Sequence, residues 1–314
     1  MDIALSFDKG FSMQTAVIMA SVSMSNADSD ITFHLLTDSL DDDLKDRICF
    51  SLKHDHHKAI FYTIDRGMLR DCPVNEGLAC PSLAKYYRLL LPKLLPQTIE
   101  RVLYLDCDII VIDTLLPLFQ MDMKNKPIGV VLDQKPYMLD NYNRLRIDLS
   151  DGYFNSGVIL FDLKEWRDHE YDKEIFTYIK ENNERLVWED QDALNKIFSR
   201  NKIFLPIRYN LQQAMMYVQN WMSWKEQAEI EQAIKAPVCI HFCGDKPWTD
   251  TCRHPYAELW NEYLKSTSWA AYKAPATPLY KKWKMELRKR SRYILGIDRW
   301  DRRYSALCFK HDRA

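Results

Sequence analysis

Two carboxylates interrupt the run Tyr104-Leu105-Asp106-Cys107-Asp108-Ile109-Ile110-Val111. At i and i+2 on a strand they point the same way. The residues around them are apolar, and a carboxylate is costly to bury there. A divalent cation between the two offsets that cost, and phosphate oxygens complete the shell of an oxygen-ligated Mg²⁺ or Mn²⁺. The competing reading is a strand that has ended, with both Asp capping the next turn. Further on, His241-Phe242-Cys243-Gly244-Asp245-Lys246-Pro247-Trp248 ends a short strand on an imidazole, then presents a glycine loop and an ammonium. His with two Asp favours Mn²⁺ over Mg²⁺, because nitrogen is the softer ligand. Lys246 could neutralise a departing phosphate. A packed His and a solvated Lys in a plain loop is the competing reading.

The elements that must position these groups alternate. Asp2–Phe7 reads as a short apolar strand and Met13–Ser25 as a helix. Ile31–Leu36, the charged amphipathic stretch Leu40–Leu52 and Ala59–Ile64 continue as strand, helix, strand. That alternation argues for a parallel α/β sheet. Ser82 caps a helix running to Leu95, with Leu83, Tyr86, Tyr87 and Leu90 on one face and Pro92 ending or kinking it. Ile128–Leu132, Val158–Phe161 and Pro237–Phe242 read as further strands; Tyr171–Ile179 and Glu189–Phe198 read as helices.

The chain has 314 residues, with 43 Lys and Arg against 44 Asp and Glu and 47% hydrophobic residues. That excludes a disordered polyelectrolyte and a wholly basic nucleic-acid binder, and leaves ample core. The charge is uneven. From Lys281 onward there are 12 basic and four acidic residues, a net of +8. Lys281, Lys282, Lys284, Arg288, Lys289, Arg290 and Arg292 interleave there with Trp283, Leu287, Tyr293, Ile294 and Leu295. The pattern suits an anionic membrane surface; a solvated helix is the alternative. A composition shift at Ser266–Pro278 divides the chain into a body, 1–265, and a basic aromatic tail, 266–314. Eight scattered Cys without Cys-x-x-Cys read as reduced thiols, no stretch approaches a membrane span, and the expected location is cytoplasmic, peripheral on the inner face of the membrane. His54, His56 and His57 read as a solvated turn. Met215, Met216, Tyr217, Trp221 and Trp224 read as core or as acceptor lining.

Tyr-Leu-Asp-x-Asp with a later His-x-x-Gly and Lys-Pro-Trp resembles glycosyltransferase family 8, from Met1 to about Trp260. Within it the chain resembles the bacterial lipopolysaccharide galactosyltransferases and glucosyltransferases, and glycogenin more distantly. The resemblance implies a GT-A fold: one Rossmann-like nucleotide-binding domain with a mixed, mostly parallel sheet; the basic helical tail after it is read from composition. It implies a retaining, Mn²⁺-dependent hexosyltransferase using UDP-galactose or UDP-glucose, with a glycan or lipid-linked glycan acceptor. By the same resemblance Asp106, Asp108 and His241 hold the metal. Asp8, Arg88, Asn155, Gly157, Gly244 and Lys246 meet the donor. Asp133, Asp190 and Gln191 lie at the transferred sugar, the Asp190-Gln191 pair under its anomeric carbon.

Two positions depart from the pattern. Gly10 stands where relatives carry Asn, and the Gly244–Lys246 loop is one residue short. A sugar-nucleotide or glycan-binding protein that has lost turnover is therefore a rival reading. A haloacid-dehalogenase-type phosphatase is another, on Leu105-Asp106-Cys107-Asp108 alone. Gln191 is an amide and a weak nucleophile, so the resemblance favours front-face attack; Asp190 is the rival nucleophile.

Overall fold

The computed structural model describes residues 1–74, 82–133, 139–216 and 224–294. Among the described residues there are ten strands: β1 (Asp2–Ser6), β2 (Thr32–Thr37), β3 (Lys58–Thr63), β4 (Arg101–Leu105), β5 (Ile109–Val111), β6 (Ile128–Leu132), β7 (Phe154–Asp162), β8 (Ile203–Phe204), β9 (Leu211–Gln212) and β10 (Cys239–His241). Seven form one sheet in the order β3-β2-β1-β4-β7-β6-β8; three form a small sheet in the order β5-β10-β9. The large sheet is parallel except for β7, which is antiparallel to both its neighbours.

Helices cover both faces of the large sheet, so its central strands are apolar on both sides. Ile3, Leu5, Leu103 and Leu105 point into one core, with the helix Ser12–Ser25 and the small sheet. Ala4, Val102 and Tyr104 point into the other, with Tyr86, Tyr87 and Leu90. The segment after Ser82 is capped by its hydroxyl as expected, but Leu83–Leu90 is a 3₁₀ helix; the α turn comes after it, at Leu91–Leu94, and holds Pro92. A proline near a helix start loses no hydrogen bond.

The chain order reverses between β1 and β4. Ligands of open α/β sheets bind at such a switch point, outside the carboxyl ends of the strands. Asp8 follows β1 there, and Asp106 follows β4.

Past residue 265 the chain still packs on the body. Trp269 and Tyr272 lie against the first core, with the Arg47 guanidinium over the Trp269 ring. The helix Leu279–Ile294 is tied down through Lys282 to Asp250 and Glu286 to Arg253. Its Leu279, Tyr280, Trp283, Met285 and Leu287 are exposed. No helix among the described residues is long and apolar enough to cross a membrane. His57 is buried, hydrogen-bonded to Ser23 and the Ser29 carbonyl, so only part of that histidine turn is solvated. Met215 and Met216 are core residues. Cys80, Tyr217, Trp221, Leu295 and the chain beyond it lie outside the described residues.

Candidate active site

Asp106 and Asp108 do not share a strand. β4 ends at Leu105 and β5 begins at Ile109, so both carboxylates sit in the turn that carries the chain from the large sheet to the small one. They converge all the same. β10 pairs antiparallel with β5, His241 opposite Ile109, and Phe242 N donates to the Asp108 carbonyl. This register brings His241 Nε2 to 3.0 Å from Asp108 Oδ1 and 3.9 Å from Asp106 Oδ2. One ligand atom from each of the three residues lies within 4.8 Å of the others. Two carboxylate oxygens and an imidazole nitrogen at that spacing fit a small divalent cation.

The imidazole tautomer follows from obligate donors. Gly157 N–H donates to Asn155 Oδ1 at 3.0 Å, and Asn210 Nδ2 donates to the same oxygen at 2.9 Å. Asn210 therefore turns its own oxygen to His241 Nδ1, 2.9 Å away, which requires the proton on Nδ1. In the neutral ring the Nε2 lone pair then faces the two carboxylates, as metal ligation needs.

Arg88 forms the floor, 3% exposed. It donates to Asp106 Oδ1 at 2.8 Å and to the Ser156 carbonyl, and its Nε lies 3.2 Å from Asp190 Oδ2. Its guanidinium stacks over Tyr104, whose hydroxyl also donates to Asp106 Oδ1. Tyr104 lies near the end of β4 and Asp106 just past it, and both side chains meet the Arg88 guanidinium. Lys246 Nζ lies 2.6 Å from Asp108 Oδ2. Burial alone would raise Asp108; the Lys246 ammonium and the His241 ring outweigh it and hold this carboxyl well below its ordinary range. Burial works against a charged His241, yet the Cys243 sulfur and Asp108 lift it well above the usual histidine value. Asp190 is pushed up to about 6 by burial, against the pull of Arg88 and with the Asp106 and Glu189 charges adding.

β7 supplies the adjoining wall. Its register against β6 jumps from Ile159 to Asn155. Asn155 stays paired with Val131, while Ser156, Gly157 and Val158 have no partner on β6 and bow out of that ladder, as at a bulge. Gly157 has a packing reason to be glycine: a Cβ there would lie 2.3 Å from His241 Cε1 and 2.9 Å from Asp106 Oδ2. Gly244 is similar, since its Cβ would meet Gln213 Oε1 at 2.0 Å. Gln191 accepts Ser156 N–H at 3.0 Å, and Asn155 Nδ2 lies 3.3 Å from the same oxygen and 3.5 Å from Asp133 Oδ2. Asp8 caps its own turn through Gly10 N–H and accepts the Ser82 hydroxyl at 2.7 Å. The cleft between these groups is about 330 Å³, walled by Asp8, Arg88, Asp106, Asp108, Gln191 and Lys246 among others.

The family model for glycosyl transferase family 8 matches residues 2–252. The chain belongs to glycosyltransferase family 8. The lipopolysaccharide 1,2-glucosyltransferase of Escherichia coli K12 is 24% identical over 94% of this chain and 85% of its own. The lipopolysaccharide 1,3-galactosyltransferase of Salmonella typhimurium is 25% identical over 86% and 79%. Among solved structures, the galactosyltransferase LgtC in complex with donor and acceptor sugar analogs superposes with a TM-score of 0.76 at 24% identity, covering 90% of this chain and 100% of that one. The fold is thus the GT-A arrangement, and the activity is that of a glycosyltransferase. The family assignment overturns the phosphatase reading: Asp-x-Asp by itself is too short to tell the two families apart, and here it leaves the fourth strand of the fold, not the first.

The structure brings Asp106, Asp108, His241, Lys246, Arg88, Asp190 and Gln191 around one cleft. Asp133 and Asn155 stand beside it, and Gly157 and Gly244 are spacers against His241 and Gln213. Tyr104 opens the Tyr-Leu-Asp-x-Asp run but has no role assigned from the sequence; Asn210, Gln213 and Tyr153 carry no signal there.

Proposed function

We propose that this family 8 glycosyltransferase is a retaining hexosyltransferase. It moves galactose or glucose from its UDP-sugar to a glycan or lipid-linked glycan acceptor in the synthesis of lipopolysaccharide or another cell-surface polysaccharide. The observation that carries the reading is the convergence of Asp106, Asp108 and His241 at the sheet's switch point, beside Arg88 and Lys246. The acceptor class comes from the named activities of the relatives.

Asp106, Asp108 and His241 would hold a divalent cation, Mn²⁺ in preference to Mg²⁺, which supplies Lewis-acid charge opposite the departing diphosphate. Lys246 exchanges Asp108 for a phosphate oxygen and neutralises the leaving UDP in a cleft where fixed charge acts strongly. Asp8 faces the uracil end, Asp133 and Asn155 the sugar hydroxyls. Gln191 offers an amide oxygen to positive charge developing at the anomeric carbon. That oxygen already accepts the Ser156 N–H, which weakens it further as a nucleophile. Asp190 is held against Arg88, which favours a charge-setting role over attack. Both features support front-face departure and entry on one side of the sugar. The body, 1–265, carries this chemistry. The tail, 266–314, with its exposed aromatic and basic helix, rests on the anionic inner face of the cytoplasmic membrane, where a lipid-linked acceptor is found.

The test is release of hexose from UDP-galactose and UDP-glucose with added Mn²⁺, in the native chain and in Asp108→Asn. One donor should turn over, chelation should stop it, and the variant should lose both Mn²⁺ binding and turnover. Tight UDP binding without sugar release from either donor would establish the binding-protein alternative instead.

A further inference from the structure

Behind Gln191, away from the cleft, lies a buried polar chain with no part in the chemistry above. Asp192 is fully buried. Its carboxylate takes both terminal nitrogens of Arg144, at 2.7 and 3.2 Å, and the Trp188 N–H at 2.7 Å. It also takes the Tyr153 hydroxyl at 2.7 Å. A carboxylate only accepts, so the Tyr153 proton is committed to Asp192 and the phenolic oxygen is left to accept. Its donor is Gln191 Nε2, 3.2 Å away. At the other end of the same amide the Ser156 N–H, an obligate donor, points at Gln191 Oε1. The two constraints are independent and select the same amide orientation.

We propose that Tyr153, oriented by the Asp192–Arg144 pair, is a positioning residue that keeps the Gln191 amide from flipping, so that its oxygen and not its NH₂ group stays on the Ser156 side. Ser156 lines the cleft and Tyr153 does not. A flipped amide would turn N–H dipoles toward developing positive charge and set a nitrogen against the Ser156 N–H. Burial, and then the Asp192 charge, keep the Tyr153 hydroxyl protonated at ordinary pH. The proposal rests on the reading of Gln191 beneath the anomeric carbon and adds what determines its orientation.

The experiment is a double-mutant cycle of Tyr153→Phe and Gln191→Ala in the full chain, read as kcat and KM for Mn²⁺-dependent hydrolysis of whichever of UDP-galactose and UDP-glucose turns over. Tyr153→Phe should lower kcat about 10- to 100-fold with KM nearly unchanged. In the Gln191→Ala background it should have no further effect. Additive losses would overturn the relay. A Gln191→Ala variant with native turnover would instead overturn the placement of Gln191. Independently of folding of any variant, hydrogen exchange at the Gln191 side-chain amide of the native chain should be slow. Exchange as fast as at a surface glutamine would refute the relay.

Discussion

Gly157→Ala tests the site at its tightest point. The added Cβ would lie 2.3 Å from His241 Cε1. Nonbonded carbons rest about 3.5–4.0 Å apart, so the ring or the strand must give by more than about 1 Å. Neither neighbour yields freely. His241 is held by Asn210 on one nitrogen and Asp108 on the other. Asp106, 2.9 Å from the new methyl, is held by Arg88 and Tyr104. Metal ligation tolerates displacements of about 0.2 Å. The expected result is a loss of Mn²⁺ affinity of at least the about 10- to 100-fold seen when groups behind a ligand are altered, or about 1.4–2.7 kcal/mol. Overpacking should add a stability loss of about 1–3 kcal/mol in the metal-free chain. Mn²⁺ titration followed by electron paramagnetic resonance reads the first, and urea unfolding in chelator the second. Affinity within twofold of the native chain, at unchanged stability, would show that Gly157 is not wedged between these ligands and that the site geometry is misread.

Asp190 should make stability depend on pH. Its carboxyl sits at about 6, against an ordinary 3.8. As pH rises from about 4 to about 6 the unfolded chain releases this proton while the folded chain retains it, so stability falls, by up to about 3 kcal/mol, and then levels off. The urea stability of native chain minus Asp190→Asn should therefore drop between pH 4 and 7 in chelator; a constant difference would contradict it. Mn²⁺ should bind more tightly as pH rises, because the cation displaces a proton that the raised His241 pKa holds on the ring; calorimetry showing pH-independent affinity would count against His241 as a ligand. Truncation before Lys281 should abolish binding to vesicles containing anionic lipid and leave UDP binding intact; unchanged vesicle association would end the membrane reading of the tail.

Much of the fold was legible because parallel strands buried on both faces are short apolar runs. β1, β2, β6 and β10 fall within a residue or two of their expected limits, while β4 stops at Leu105, before the two acids. The antiparallel direction of β7 was not legible, since strand direction depends on the connections and not on composition. The helix after Ser82 was placed correctly but winds as 3₁₀. The two-residue spacing predicts one strand face for Asp106 and Asp108; instead the strand ends before the acids, and a turn converges them. The three residues expected to hold the metal nevertheless lie together, because the β5–β10 pairing brings His241 to the turn that carries both acids.

What the sequence determined by itself was the inventory: paired acids, an imidazole, an ammonium and a guanidinium, each at the end of an element that had to be buried, in an order that marks the family. What only the tertiary structure decided was which of them meet and in what state. The β5–β10 register puts His241 on Asp108 across more than a hundred residues of chain, and Asn210 sets its tautomer. Arg144 reaches Gln191 through Asp192 and then Tyr153. Such contacts depend on hydrogen-bond direction and ångström-scale clearance, which residue type and local spacing leave open until the whole chain has packed.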